Sequence, residues 1–316
     1  MDLLKEILIR RQKFASKMEL ELSRPFQVTV IGDGGSGKST LINTLFNTDL
    51  ATGPAKPTTK IPQPVTAKNK DGKGELIFID LPGVGESHSL DVQYTNMYLN
   101  YGLESDVILW SINNENRNVV YTINFINNLI SKLDNYKDQL EFFNKFLFII
   151  TKVDYIKNGK WTFRKYNDGY RVIADPTLNF ILEEKVGYFR YSLIKKFGHL
   201  IRTRIFTGQK STNIDEDFLY LEDGEFICTK LIDGPTYNHL CTKYPRHKPK
   251  FDRIVKIQSP IPCSSYFKYN LTNLILAIID KADKGIFGLD KLIDVDRISI
   301  LSQEELDRAI NIQIIN

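Results

Sequence analysis

The stretch Gly32-Asp33-Gly34-Gly35-Ser36-Gly37-Lys38-Ser39 satisfies the pattern G-x-x-x-x-G-K-[ST] in full. An apolar run, Phe26-Gln-Val-Thr-Val-Ile-Gly32, precedes it, and a helical pattern, Ser39-Thr-Leu-Ile-Asn-Thr-Leu-Phe46, follows. Strand, glycine-rich turn and helix in that order make a phosphate cradle. Glycines let consecutive N–H groups point inward, and a helix beginning near Lys38 adds the positive end of its dipole. Gly34, Gly35, Ser36, Gly37 and Thr40 are expected to line the cradle. The Lys38 amine is expected at the β- and γ-phosphates of a nucleotide and the Ser39 hydroxyl on Mg²⁺.

Outward from this loop, short apolar runs alternate with helical patterns. Strands are predicted at Gln27–Gly32, Pro64–Lys68, Leu76–Asp80, Asp106–Ser111, Phe146–Thr151 and Arg253–Gln258, and helices at Lys38–Phe46, Ser89–Tyr101, Val120–Leu133, Pro176–Lys196 and Leu271–Lys281. Runs such as LIFID and FLFII are continuously apolar, which suits strands covered on both faces. The expected fold is an α/β P-loop domain: a mostly parallel sheet, helices on both faces, and one antiparallel edge strand entered through Asp71-Gly-Lys-Gly74. It occupies residues 25–197 and 251–282. Residues 198–250, full of turn chemistry, read as a small β-rich insertion. Residues 1–24 read as an amphipathic helix, and residues 283–316 as an extension whose final helix is capped by Ser302 and Glu305.

With 316 residues, a net charge of +4 and three cysteines, the chain can bury a large core and carries no disulfide framework. Nothing approaches the roughly 18 apolar residues of a membrane helix, and Asp2 and Glu6 interrupt the amino-terminal apolar run, unlike a secretory signal. A cytoplasmic protein with no transmembrane segment is expected.

Two further stretches bear on the nucleotide. Asp80-Leu-Pro-Gly83 follows the LIFI strand, so Asp80 stands at a strand end where it can hold Mg²⁺ through water, and the Gly83 N–H can touch the γ-phosphate. Thr151-Lys152-Val153-Asp154 closes the FLFII strand. A carboxylate there accepts both N1–H and the 2-amino group of guanine, which adenine does not present, while the Lys152 stem lies along the purine.

In this order and spacing, GDGGSGKS, DLPG and TKVD resemble the first, third and fourth motifs of the translation-factor-type small GTPases. STLINTLF, DLPGVGES and DVILWSI are similar to the Era-like group, with YfjP-type predicted prophage GTPases nearest in look. That resemblance implies GTP and GDP as ligands, with Mg²⁺, and hydrolysis that drives a conformational switch. It also implies a switch threonine ligating Mg²⁺, here Thr59 with Thr58 as rival, and a guanine-contacting loop at Pro262-Cys-Ser-Ser265, where Ser264 and Ser265 are best placed. Lys38, Thr59 and Gly83 are the implied catalytic set. Val84 stands where many GTPases carry a water-orienting glutamine, and Gly35 where potassium-stimulated members carry asparagine. Slow intrinsic turnover follows, with acceleration by a protein effector or a homodimer; a GTP-sensing scaffold with negligible hydrolysis is the alternative.

Other groupings carry less. Cys228, His239, Cys241 and His247 fit no paired zinc-ligand spacing. Lys243, Arg246, Lys248, Lys250, Arg253 and Lys256, interleaved with Tyr244 and Phe251, form a pattern that can bind RNA or acidic membranes but more often lies solvated.

Overall fold

β1 (Phe26–Gly32) is buried at every position except Gln27, and that burial comes from neighbours on all sides. It pairs in parallel with β3 (Glu75–Asp80) and with β4 (Val107–Asn113). β5 (Phe146–Thr151) extends the sheet beyond β4, and β11 (Ile261–Pro262) closes that side by pairing with Ile149 and Ile150. β2 (Gln63–Lys68) runs antiparallel to β3, so the six-stranded order is β11-β5-β4-β1-β3-β2 with one antiparallel edge strand, as expected. The computed structural model describes residues 25–52, 61–68, 75–85, 88–116, 119–206, 214–222, 225–281 and 297–315. The expected amino-terminal helix, Thr58 and Thr59, and the Asp71–Gly74 turn lie outside these residues.

Side chains alternate across the sheet. On one face Val28, Val30, Leu109 and Ile149 pack against α1 (Lys38–Phe46) and α8 (Leu271–Lys281) through Leu41, Ile42, Leu274 and Ile278. On the other face Ile31, Ile108, Trp110 and Phe148 meet α2 (His88–Glu104), α3 (Val119–Ile130), α4 (Tyr136–Asn144) and α5 (Pro176–Ser192). Two helical layers thus remove water from both faces of the sheet, where apolar burial contributes about 25 cal/mol per Å².

β6 (Trp161–Tyr166) and β7 (Gly169–Ala174) form an antiparallel hairpin after β5. The carboxy-terminal segment is tied to it, with Tyr170 and Leu301 exchanging backbone hydrogen bonds of 2.9 and 2.8 Å. In the helix that follows, α9 (Gln303–Ile315), Glu305 N–H donates to Ser302 Oγ and Ser302 N–H to Glu305 Oε2, which completes the expected capping box.

The insertion holds a three-stranded antiparallel sheet, β8 (Thr203–Phe206), β9 (Leu219–Glu222) and β10 (Glu225–Cys228), in the order β8-β10-β9. It also holds two helices, α6 (Gly234–Lys243) and α7 (Lys248–Ile257). The strand predicted at Arg253–Gln258 is therefore a helix. Phe251, Ile254 and Val255 recur at helical spacing and pack with Phe226 and Leu240 in the insertion's own core. A short apolar run, Ile254-Val-Lys-Ile257, had masked that period. The chain rejoins the main sheet only at Ile261.

Candidate functional site

The parallel strands end at one edge of the sheet, and four of the five end in a residue singled out by sequence, namely Gly32, Asp80, Thr151 and the Pro262 loop; β4 ends at Asn113. Ligands of open α/β sheets bind outside such carboxyl ends.

Gly32 sits at φ +151° against β4, and a Cβ there would come within 2.1 Å of the Ser111 carbonyl oxygen. Only glycine lets the loop leave the sheet this close to its neighbour. Gly35 at φ +69° and Gly37 at φ +91° complete the curl before α1 begins at Lys38. The crown of the loop is bolted to the sheet through one carbonyl. Ser36 O accepts from Thr151 Oγ1 at 2.5 Å and from Ser111 Oγ at 3.3 Å. The Lys38 ammonium lies folded across the loop, donating to Gly32 O at 3.1 Å and Asp33 O at 3.0 Å. Burial pushes the Asp33 carboxyl above its ordinary value, with the Lys38 charge and the Asn116 amide pulling the other way.

Ser39 Oγ donates to Asp80 Oδ2 at 2.5 Å, so two of the expected Mg²⁺ ligands already touch. Gly83 is buried, and the carbonyl of Pro82 before it accepts from the Tyr98 hydroxyl at 3.2 Å. Val84 is 1% exposed. Its N–H donates to Gly32 O and its carbonyl accepts from Gly34 N–H, each at 3.1 Å. The residue after Gly83 is thus a core side chain zipped to the phosphate loop, with its apolar group turned inward.

Lys152 is left-handed at φ +58°, a conformation that costs a non-glycine residue about 1–3 kcal/mol. Its stem runs over the phosphate loop, with Cε and Cγ within 3.9 Å of the point a Gly37 Cβ would occupy. Asp154 is 5% exposed, and both carboxylate oxygens are buried without a hydrogen-bond donor. Desolvation raises its pKa above the ordinary carboxylate value; the Ser264 hydroxyl, near but outside hydrogen-bond geometry, the Asp154 backbone N–H and the Lys152 charge act against that rise. A buried carboxylate with two unsatisfied acceptors is unfavourable alone. It suits a ligand edge that brings two N–H donors.

The loop after β11 is held by Cys263 N–H to Ile150 O at 2.8 Å, and Asn270 Nδ2 donates to Pro262 O at 2.8 Å. Ser264 is fully buried; its Oγ accepts from Phe267 N–H at 3.1 Å and its own N–H donates to Tyr269 O at 3.2 Å. Ser265 is half-buried. Sequence reasoning missed Asn114, which follows β4 and is hydrogen-bonded to the Lys152 carbonyl; its signal was only a polar pair, Asn113-Asn114, at a strand end.

Away from this edge, two cations of the basic stretch are matched by acids of the insertion and its helices. Lys243 meets Glu216 at 3.0 Å and Lys248 meets Asp252 at 2.8 Å. Cys228 is buried, its thiol pushed up to about 11 by desolvation, while His239 lies exposed beside Glu216. No helix among the described residues is long and apolar enough to cross a membrane.

Fold and site together form a P-loop α/β domain, a mostly parallel sheet with its phosphate loop at the strand ends. Residues 27–152 match the family described as 50S ribosome-binding GTPase. Over 131 residues the chain is 28% identical to two proteins of Escherichia coli, the uncharacterized proteins YkfA and YfjP. That match takes in 40% of this chain and only 41% of each relative's length. Among solved structures, Era in complex with MgGDPNP and a segment of 16S ribosomal RNA is 18% identical, with a TM-score of 0.41 over 82% of this chain and 57% of that one. Toc33 from Arabidopsis thaliana is 15% identical, with a TM-score of 0.40 over 57% of this chain and 66% of that one. Residues 27–152 thus resemble that GTPase family, and over 131 residues the chain is similar to YfjP.

Proposed function

We propose that this protein is a guanine-nucleotide switch that binds Mg²⁺·GTP and hydrolyses it slowly to GDP and phosphate. The observation that carries the reading is Asp154: a buried carboxylate, both oxygens lacking donors, at the strand end beside the phosphate loop. Guanine offers N1–H and a 2-amino group on one edge. Adenine does not, and would leave the carboxylate unsatisfied.

Ser39 and Asp80 would hold Mg²⁺, Asp80 through water, with Thr59 joining them when the γ-phosphate is present. The metal would neutralise charge on the phosphate oxygens during transfer. Lys38 would leave the carbonyls of Gly32 and Asp33 for the phosphates, and the Gly83 N–H would contact the γ-phosphate. Engagement of Ser264 within its own loop favours Ser265 as the backbone contact to the base. Around this centre the insertion would be an appended device, reaching through α7 to Ile257 rather than ending at residue 250, and the cytoplasm would be its setting.

The burial of Val84 favours slow chemistry, and in its extreme form supports the second reading, a GTP-sensing scaffold. No side chain at that position reaches toward an attacking water. Acceleration would then come from an effector or a second copy of the chain. Single-turnover hydrolysis at low protein concentration should be slow. A fast, concentration-independent rate would overturn the slow-switch reading, and a rate equal to the uncatalysed one would favour the scaffold.

Replacing Val84 with glutamine should not install the missing function. The amide would be buried in the core, and the variant is expected to lose about 2–3 kcal/mol of stability with no gain in rate. Urea denaturation and single-turnover assays check both parts; a faster, equally stable Val84→Gln would contradict the geometry.

A further inference from the structure

We infer that Asn114 is a positioning residue for base recognition, holding the backbone from which Lys152 and Asp154 are presented. The inference rests on the guanine-binding reading of the site and adds a residue that the recognition motifs do not contain.

Asn114 is 5% exposed and sits immediately after β4, one strand in from the base-recognition loop. It engages that loop twice. Its backbone N–H donates to Thr151 O at 3.0 Å, continuing the β4–β5 ladder by one rung. Its side-chain Nδ2 donates to Lys152 O at 2.6 Å, where the ladder ends. That carbonyl belongs to the left-handed residue at φ +58°, the point at which the chain turns out of β5 into the short 3₁₀ turn Val153–Tyr155. A left-handed conformation at a lysine persists only when its surroundings impose it, and the Asn114 amide is the side-chain donor on its carbonyl. The turn fixes two things at once: the direction of the Lys152 stem across Gly37, and the placement of the Asp154 carboxylate two residues on.

Asn114 is itself held from a third direction. Lys185 of α5 donates its ammonium to Asn114 O at 2.9 Å. Strand end, amide and helix therefore form a bracket, Lys185 to Asn114 to Lys152, behind the guanine edge. The two hydrogen bonds of this bracket, Lys185 Nζ to Asn114 O and Asn114 Nδ2 to Lys152 O, involve no atom of the phosphate loop Gly32–Ser39. Loss of the bracket should therefore erode recognition of the base rather than grip on the phosphates.

The 2-amino group of guanine supplies the test, because inosine nucleotides lack it. Titration calorimetry on the full chain would give dissociation constants for GDP, IDP and ADP, in the natural protein and in Asn114→Asp, Asn114→Ala and Lys185→Met. Asn114→Asp keeps the shape but turns an acceptor toward the Lys152 carbonyl. The ratio of IDP to GDP dissociation constants should fall about tenfold in Asn114→Asp and Asn114→Ala, and less, in the same direction, in Lys185→Met. ADP affinity should change little. A merely structural role would weaken all three nucleotides together and leave the ratio intact. If the Asn114 variants fail to fold, Lys185→Met decides: an unchanged ratio overturns the inference. Absence of a GDP over ADP preference in the natural protein would overturn the guanine reading itself, and this inference with it.

Discussion

Asp154→Asn is expected to weaken GDP binding by roughly 100- to 1,000-fold and to create a preference for xanthosine diphosphate. The carboxylate offers two charge-assisted acceptors, each hydrogen bond worth about 1.5–3 kcal/mol where the surroundings are dry. An asparagine keeps one acceptor and adds a donor, which opposes the guanine 2-amino group but matches the 2-oxo group of xanthine. Calorimetry with GDP, XDP and ADP reads the change. An undiminished GDP preference in the variant would remove Asp154 from the base site.

The same carboxylate predicts a pH dependence. In the free protein its pKa lies above the ordinary value because burial disfavours the charge. The folded state therefore binds the proton more tightly than the unfolded one. Burial of this group destabilises the free protein at neutral pH, and the penalty is relieved as pH falls through the raised pKa toward 3.8. Guanine requires the ionised form. GDP affinity should thus fall as pH drops through the raised pKa, with a proton released on binding in that window. In Asp154→Asn this part of the pH dependence should vanish.

Gly32→Ala should be strongly damaging. The added carbon would lie 2.1 Å from Ser111 O and 2.9 Å from Ser111 C, both backbone atoms of β4. β4 cannot recede, because it is paired in parallel on both sides. A loss above about 4 kcal/mol is expected, with no measurable nucleotide binding. Gly35→Ala is the control. Nothing lies within 4 Å of its would-be Cβ, so only the left-handed φ of +69° resists, and stability should fall by about 1 kcal/mol. Equal destabilisation of the two variants would show that glycine is needed at position 32 for conformation alone and not for close approach.

The phosphate loop and the Asp80 and Asp154 strand ends were legible because each lies in a local pattern. An apolar run stops, a turn begins, and a chemically committed residue occupies the junction. α4 was not legible. Its residues, Tyr-Lys-Asp-Gln-Leu-Glu-Phe-Phe-Asn, bury only Phe142 and Phe143, and its start rests on Asn135 Oδ1 accepting from Asp138 N–H at 3.0 Å. The β6–β7 hairpin was also passed over, although Asn167-Asp168-Gly169 carries turn chemistry, because Arg164, Lys165 and Tyr166 make its first strand polar and exposed. α7 was mistaken for a strand because its core contacts belong to the insertion, whose period is visible only once Phe251 is counted. Asn114 escaped for another reason: its partner is a backbone carbonyl that no motif records.

The late return of the chain to the sheet has a consequence for synthesis. About 110 residues separate the end of β5 from β11, among them the hairpin, α5 and the whole insertion. A chain emerging amino end first completes its phosphate loop once Thr151 has arrived to hold the Ser36 carbonyl. It exposes the outer edge of Phe-Leu-Phe-Ile-Ile-Thr until Ile261 arrives to pair with it. The phosphate loop and Asp154 are therefore both made well before Ile261 covers β5, and that interval is when this apolar strand is most exposed to the wrong partner.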